Sequence, residues 1–210
     1  MHFRDRYHAG ELLGNLLSTK LEELTEGIVL GLPRGGVPVA AKVAESLDLP
    51  LDVYLVRKLG VPGHEELAMG AIATGGVKVL NDNVLNHLGI DETTIDAVAE
   101  QELVELERRE RLYRGHRPPL ALAGRDVILV DDGIATGASI RAAIEAVRMS
   151  GPSSVTVGVP VAPASTEREM RSITDRLIVM QTPRPFFAVG SSYRDFTQTT
   201  DDEVRGLLGT

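Results

Sequence analysis

The sequence predicts an α/β protein with a doubly wound, mostly parallel sheet. Short apolar runs that indicate buried strands alternate with amphipathic stretches of helical periodicity. Strands covered by helices on both faces are continuously apolar, and parallel strands need such crossover helices. The chain has 210 residues, of which 43% are hydrophobic and only 4% aromatic, so one domain with an aliphatic core is expected.

The first half of the chain is predicted to hold two strands of this sheet. Leucines three and four residues apart indicate an amphipathic helix, and uninterrupted apolar runs indicate buried strands. Glycine pairs and prolines between these segments indicate turns. The expected elements are a helix over 9–24, a strand at 28–32, a helix over about 37–47, a strand at 51–56, a Gly- and Pro-rich loop over 58–66, and a hairpin over 70–80 that turns at Gly75 and Gly76.

The second half of the chain continues the alternation. A highly charged segment is predicted as a long helix, because Asp91 can cap its first turn and Pro118 and Pro119 cannot extend it. Apolar runs and helical stretches then alternate as before. The expected elements are a helix over 92–114, a strand at 127–130, a helix over 140–147, a strand at 154–161, a helix near 165–172 and a strand near 176–181.

Composition excludes several functional classes. Lysine and arginine number 22 against 30 acidic residues, and the net charge of −8 argues against nucleic-acid binding. The absence of cysteine excludes disulfides, thiolate metal sites and thiol catalysis. The charged N-terminus lacks the apolar core of a signal peptide, and no apolar stretch has membrane-spanning length. We therefore expect a soluble cytoplasmic protein with no membrane partner.

The most informative stretch is 127–139, with the sequence V-I-L-V-D-D-G-I-A-T-G-A-S. Asp131 and Asp132 follow an apolar strand at the sheet edge where open α/β folds bind ligands. The small residues after them lead into a helix, whose first N–H groups attract phosphate. The acids repel phosphate and suit sugar hydroxyls or a divalent cation. The stretch therefore predicts a site for a phosphorylated sugar; an ordinary strand–loop–helix unit with solvated acids is the alternative.

Two further loops follow predicted strands and would line the same crevice. In the first loop, Arg34 offers a planar cation for phosphate, and Gly35 and Gly36 allow close approach to a ligand. Neither a dinucleotide-binding G-x-G-x-x-G nor a P-loop G-K-[ST] occurs there, which disfavours a Rossmann-type oxidoreductase; a purely structural turn stays open. In the second loop, Arg57 and Lys58 either place positive charge beside the crevice or are simply solvated.

The stretch 127–139 resembles the signature of the type I phosphoribosyltransferases, which bind phosphoribosyl pyrophosphate (PRPP). The resemblance covers about residues 25–200 and implies a phosphoribosyltransferase-like α/β fold. It implies that Asp131 and Asp132 hold the ribose 2′- and 3′-hydroxyls. It also implies that the whole small-residue stretch binds substrate and that its last five residues surround the 5′-phosphate. The residues of the stretch are Gly133, Ile134, Ala135, Thr136, Gly137, Ala138 and Ser139.

The other two loops are most similar to those of adenine phosphoribosyltransferases. The similarity implies that Arg34 and Lys58 act in catalysis at the pyrophosphate, helped by Gly35, Gly36 and Arg57. In some family members a non-proline cis peptide holds the first loop. The chain departs from the family twice: the segment 73–75 lacks the adenine-type catalytic acid, and Ala135 stands where 6-oxopurine enzymes usually carry an aspartate.

The resemblance also implies a small hood formed by segments 1–24 and 183–210, over a core of about 25–182 in a single domain. There Phe186 and Phe187 would flank a planar base, although they could equally plug the sheet edge. Asp195, like the acid pair, would reach Mg²⁺ directly or through water. The implied activity is transfer of the 5-phosphoribosyl group from PRPP to a nitrogenous base, preferably a purine, with release of pyrophosphate by a homodimer. A regulatory protein that senses PRPP without turnover is the alternative.

Overall fold

A computed structural model describes residues 2–21, 24 and 26–210 of the chain. They form a five-stranded sheet, a separate three-stranded sheet and seven helices. The elements are, in chain order, α1 (Arg6–Lys20), β1 (Gly27–Gly31), α2 (Gly36–Leu47), β2 (Leu51–Val53), β3 (Val56–Val61), β4 (His64–Ala73), β5 (Val77–Leu80), α3 (Asp82–Leu88), α4 (Glu92–Arg114), β6 (Asp126–Val130), α5 (Ala138–Met149), β7 (Ser154–Val161), α6 (Ala164–Arg171), β8 (Arg176–Gln181) and α7 (Asp201–Leu208).

The five-stranded sheet confirms the predicted α/β fold. Its order is β2-β1-β6-β7-β8, and every neighbouring pair is parallel. Gly31 of β1 lies opposite Val130 of β6, and the Leu32 N–H donates to the Val130 carbonyl at 2.9 Å. The two strands therefore end side by side, and the segments that follow them begin next to each other. This register positions the candidate site.

Helices cover both faces of the central sheet. On one face, α1 and α2 pack with β1 and β6, and Leu13 and Leu17 are fully buried there. On the other face, α5 packs a similar aliphatic cluster. Helix α1, which lies within the first segment predicted as a hood, therefore packs in the helical layer on the sheet. Phe3 and Tyr193, one from each terminal segment, pair instead near the carboxyl ends of the strands. Predicted hood residues 1, 22 and 23 lie outside the described part of the chain, as does residue 25 at the start of the predicted core.

The segment 58–66 is not the loop that its glycines and prolines predict. It belongs to a hairpin of β3 and β4, to which β5 adds across the predicted turn at Gly75 and Gly76. The predicted strand over 51–56 is correspondingly divided between the two sheets. Burial explains the hairpin, because Leu59 and Met69 are fully enclosed against Leu106 of α4. Burial of one such side chain stabilises the folded protein by about 1.5–3 kcal/mol.

The long charged helix has the predicted bounds, but a different residue ends it. The Asp91 carboxylate accepts the Thr94 N–H at 2.8 Å at the first turn of α4. Gly115, with φ of +62°, ends the helix three residues before the prolines. No helix within the described residues is both long enough and apolar enough to cross a membrane.

Candidate active site

Two adjacent carboxylates follow β6 at the carboxyl edge of the sheet. Asp131 Oδ1 accepts the Asp132 N–H at 2.8 Å, and Asp132 Oδ2 accepts Arg6 Nε–H at 2.8 Å. Burial raises the pKa of Asp131 well above its usual range, and repulsion from Asp132 adds to the rise. Burial also raises the pKa of Asp132, while Arg6 opposes that rise. The site concentrates negative charge that a ligand or cation could stabilise.

Each carboxylate keeps one open oxygen. Asp131 Oδ2 and Asp132 Oδ1 hydrogen-bond to no group in the described part of the chain. Asp131 and Asp132 are both half-buried rather than fully enclosed. The pair thus presents two accessible acceptors from consecutive residues. Such a pair suits two neighbouring hydroxyl groups or a hydrated divalent cation.

The loop between β1 and α2 packs directly against the acid pair. A Cβ atom on Gly36 would lie 2.8 Å from the Val130 carbonyl oxygen and 2.9 Å from Asp131 Cα. A Cβ atom on Gly35 would collide with Asp132 Oδ2. Only glycine allows this approach. The Pro33–Arg34 peptide of the same loop is cis.

Arg34 extends from this loop toward the start of α7. Its Nη1 lies 3.8 Å from Asp201 Oδ1, and both side chains are more than one-third exposed. Asp201 also accepts the Tyr113 hydroxyl at 2.6 Å. Exposed ion pairs of this kind contribute about 0–1 kcal/mol, so the Arg34 guanidinium is easily released to another anion. It borders a cavity of about 470 Å³ together with Thr200 and Asp202.

The segment after the acids forms a solvent-open turn before α5. Gly133 packs beneath Val189, and Gly137 adopts a φ of +82°, which favours glycine. The Thr166 hydroxyl donates to the Ala135 carbonyl at 3.0 Å and holds the turn in place. Ile134 of this turn is buried. Four other predicted substrate-binding residues are exposed: Ala135, Thr136, Ala138 and Ser139. Hydroxyls and the first N–H groups of α5 together suit a phosphate group.

The C-terminal segment closes one side of the acid pair. The Tyr193 hydroxyl donates to the Asp132 carbonyl at 2.5 Å, and its ring lies 5.3 Å from that of Phe3. Phe186 is half-buried against this aromatic cluster, whereas Phe187 is 80% exposed. Both line a cavity of about 590 Å³. An exposed ring beside such a cavity can stack on a planar ligand.

Asp195, predicted to reach Mg²⁺, stabilises its own turn in this structure. Its Oδ1 accepts both the N–H and the hydroxyl of Thr197, at 2.9 and 2.6 Å. These hydrogen bonds lower the pKa of Asp195. The hydrogen bonds of the described residues do not connect its carboxylate to Asp131 or Asp132.

Arg57 and Lys58 lie in a different environment from the acid pair. Both belong to β3, where Arg57 Nη2 contacts Glu102 Oε2 of α4 at 2.6 Å and Lys58 Nζ lies 3.5 Å from Glu66 Oε2. They line a cavity of about 910 Å³ between the hairpin and α4, whose lining does not include the acid pair. The cause is topological, because β3 leaves the parallel sheet and pairs with β4.

The structure adds two site residues that sequence reasoning missed. Arg6 begins α1 and contacts Asp132 across 126 positions, and Tyr193 contacts it across 61. Local patterns carry no signal for either contact. An isolated arginine near a predicted helix start resembles any solvated cation, and the partner becomes visible only when the chain is folded.

Comparison with known proteins supports a family assignment. The family model described as "Phosphoribosyl transferase domain" matches residues 5–194. A curated relative from Mycobacterium tuberculosis, whose name gives its phosphoribosyl transferase assignment as provisional, is 47% identical over 206 residues. The match covers 98% of this chain and 46% of the relative, so the chain spans about half the length of that relative.

Two solved structures are similar to this chain. The crystal structure of TT1426 from Thermus thermophilus is 44% identical, with a TM-score of 0.89, and the match covers 99% of this chain and 98% of that one. A Neisseria gonorrhoeae protein crystallised with bound ppGpp shares 11% identity and a TM-score of 0.50, over 100% of this chain and 97% of that one. The second likeness concerns the fold alone.

Proposed function

The chain belongs to the phosphoribosyl transferase domain family, and we propose that it transfers the 5-phosphoribosyl group of PRPP to a nitrogenous base. The contact between the Gly35–Gly36 loop and the acid pair supports this proposal most directly. It brings a cation-bearing loop, two open carboxylate oxygens and a phosphate-binding turn to one edge of the sheet. These are the three kinds of group that a phosphorylated, pyrophosphate-bearing sugar requires.

In the proposed complex, each part of the donor meets one part of the site. The open oxygens of Asp131 and Asp132 accept the ribose 2′- and 3′-hydroxyls. The turn from Ala135 to Ser139 surrounds the 5′-phosphate, where the N-terminus of α5 favours negative charge. Arg34 exchanges its loose contact with Asp201 for the pyrophosphate oxygens, for which a planar guanidinium is well suited.

The reaction exchanges one bond at ribose C1 for another. A nitrogen of the base bonds to C1, the bond from C1 to the pyrophosphate oxygen breaks, and pyrophosphate leaves with the electron pair. The proton that this nitrogen carried passes to the departing pyrophosphate or to solvent. The chain contributes mainly by holding the reactants in line and by stabilising the leaving group with Arg34. The half-buried acid pair lies near the ribose, where positive charge develops.

The residues present fit Mg²⁺, which the family implies. Open carboxylate oxygens are the hard ligands that Mg²⁺ prefers, and Mg²⁺ commonly binds through one or two carboxylates and substrate phosphates. Within residues 2–21, 24 and 26–210 no group of three His, Cys, Asp or Glu side chains could hold a metal. Asp131 and Asp132 would therefore help to hold it, directly or through water, together with oxygens of the donor. Bound Mg²⁺ would neutralise part of the pyrophosphate charge.

For the acceptor, we propose a planar base, preferably a purine, in the cavity beside Phe186 and Phe187. The exposed Phe187 ring supplies a stacking face. Residue 135 is alanine, and its methyl side chain cannot exchange a proton with the base. A second candidate function follows from that observation: a regulatory protein that binds PRPP without turnover.

The proposal is tested with the double variant Asp131→Asn/Asp132→Asn. PRPP binding in the presence of Mg²⁺ is measured by calorimetry, and pyrophosphate release is measured with a panel of purine, pyrimidine and pyridine bases. We expect a loss of donor affinity of roughly 100-fold, from two charged hydrogen-bond acceptors. Asp126→Asn, the same substitution at the opposite end of β6, is the matched control.

Three results are distinguishable. Donor binding with pyrophosphate release on one base supports the transferase. Donor binding without release on any base selects the PRPP sensor instead. Unchanged donor binding by the double variant would contradict the role of the acids in either function.

A further inference from the structure

Arg6 forms a nearly enclosed ion pair with the second acid. The distance from its Nε to Asp132 Oδ2 is 2.8 Å, and the two side chains are 11% and 15% exposed. An ion pair so withdrawn from water is costly to break from one side, because the remaining charge stays buried without a partner. Removing one partner of this pair should therefore cost more than removing one partner of an exposed ion pair.

The guanidinium of Arg6 is held in a single plane. Its central carbon lies 3.8 Å from the centroid of the Phe196 ring, and Nη1 donates to the Thr197 carbonyl at 2.7 Å. Stacking and two directed hydrogen bonds together need the flat fork of arginine; a lysine ammonium can reproduce the charge alone. The arrangement fixes both the position and the direction of the Nε–H group.

The main chain of Arg6 is equally well anchored. Asp5 caps the helix that Arg6 begins. Gly10 and Gly14 bring α1 tightly onto α2: a Cβ on Gly10 would lie 2.6 Å from the Val39 carbonyl oxygen. Helix α2 itself begins at Gly36, within the loop that presses on the acid pair. Arg6 and this loop therefore share one rigid support.

We infer that Arg6 is a positioning residue for donor binding, which rests on the proposed function. Arg6 donates to Asp132 Oδ2 and so leaves Asp132 Oδ1 for a ribose hydroxyl. The Asp132 N–H donates to Asp131 Oδ1 in the same way and leaves Asp131 Oδ2 for the other hydroxyl. The Tyr193 hydroxyl holds the carbonyl of Asp132 from the other side. Arg6 touches no reacting atom, and it acts by orienting the carboxylate that binds the sugar.

The inference is tested by measuring whether Arg6 supports recognition of the ribose hydroxyls. Calorimetry compares ribose 5-phosphate with 2,3-dideoxyribose 5-phosphate, which lacks both hydroxyls, and with inorganic phosphate. For Arg6→Gln we expect about tenfold weaker binding of ribose 5-phosphate, with the dideoxy compound and phosphate little changed. Discrimination between the two sugars should therefore fall by about the same factor.

Two further variants separate positioning from general effects. Arg4→Gln removes the same charge from a neighbouring, 64% exposed arginine and should leave discrimination unchanged. Arg6→Lys keeps the charge without the stacked fork and should bind ribose 5-phosphate with intermediate affinity. If Arg6→Gln does not fold by circular dichroism, the reduced discrimination expected of Arg6→Lys is the deciding measurement.

The possible failures are distinct. Wild-type discrimination in folded Arg6→Gln, or in folded Arg6→Lys where the glutamine variant does not fold, would overturn this inference and leave the proposed function intact. Failure of the wild-type protein to bind PRPP and ribose 5-phosphate would overturn the proposed function, and the inference with it.

Discussion

Two regions of this molecule, in different sheets, carry a pair of like charges next to one end of a strand. Asp131 and Asp132 follow β6, and Arg57 and Lys58 lie at the start of β3. The acids are half-buried and contact the glycine loop from β1, and Asp132 forms an ion pair with Arg6. The two cations instead have separate acidic partners along the hairpin and α4. The comparison shows that convergence of several segments distinguishes the candidate site from an ordinary charged strand.

The energetic consequences differ in the same way. At the acid pair, burial raises both pKa values, so the folded protein holds negative charge at a cost in stability. On the hairpin, exposed pairs cost little and contribute about 0–1 kcal/mol. Charges that are held at a cost in folding stability indicate a functional site more strongly than charges that cost little. The acid pair is therefore a better candidate for function than the cations of the hairpin.

The largest effect is expected from Gly36→Ala. The new Cβ would lie within 3 Å of main-chain atoms of Val130 and Asp131, which cannot rotate away. We expect a stability loss of about 1–3 kcal/mol from overpacking and a loss of donor affinity of about 100-fold from displaced acids. Thermal denaturation and PRPP calorimetry measure the two effects.

Gly206→Ala is the matched control for this substitution. Gly206 lies within α7, and a Cβ there would meet no atom within 4 Å. Alanine should stabilise that helix by up to about 1 kcal/mol. Equal behaviour of the two variants would show that the contact between loop and acids does not constrain the site.

The second effect concerns Asp131→Asn and its dependence on pH. Since burial raises the pKa of Asp131, the folded protein binds this proton more tightly than the unfolded chain does. Its contribution to stability therefore decreases as the pH rises above the usual aspartate range. Replacement by neutral asparagine should raise the melting temperature at pH 7–8, with a gain that shrinks toward pH 4, while weakening PRPP binding.

Asp175→Asn should show the opposite sign. Hydrogen bonding by the Val155 N–H lowers the pKa of Asp175, so its stabilising effect is present above the usual aspartate pKa and disappears on acidification. Its replacement should lower the melting temperature at neutral pH. A rise for Asp175→Asn, or a fall for Asp131→Asn, would contradict the electrostatic account.

A smaller effect is expected from Arg57→Gln. Its contact with Glu102 is short, and each side chain is little more than one-quarter exposed. Loss of this pair should reduce the free energy of unfolding by about 1 kcal/mol and change PRPP affinity little. A preserved stability with a large loss of PRPP affinity would instead place the hairpin at the donor, as the family resemblance implies.

The smallest effect is expected from Lys58→Gln. Lys58 is 45% exposed and its partner Glu66 fully exposed, so the change in stability should stay within about 0.5 kcal/mol. We expect donor affinity and turnover within about threefold of wild type. A loss of more than tenfold in kcat would show that the hairpin closes onto the site and that the two regions act together.

Several strands and helices of this chain could be predicted because their formation depends on residues that are close together in the sequence. Continuous apolar runs specified the parallel strands, and the Asp91 cap specified the start of α4. The short helices α3 and α7 escaped prediction. Their caps, Asn81 and Thr200, are clear in the structure, but few apolar residues follow them.

The hairpin shows why glycine and proline are insufficient evidence for a loop. Gly60 and Pro62 suggested irregular structure, yet a bulged β3–β4 pairing accommodates this segment, with its turn at Gly63. Pairing with distant α4 supplied the burial that favours strand conformation. Leu106 of α4, which helps to enclose Leu59, lies 47 residues further along the chain, beyond the range of a local pattern.

By itself, the sequence determined the strand–turn–helix unit around Asp131 and Asp132, because the conformation of a buried strand and a helix start depends on neighbouring residues. It also determined that the Arg34–Gly36 loop leaves a strand end. The tertiary structure alone decided that this loop touches the acids, that Arg6 pairs with Asp132, and that Arg57 turns toward α4. Those contacts depend on sheet order and register, which are set by burial over the whole domain.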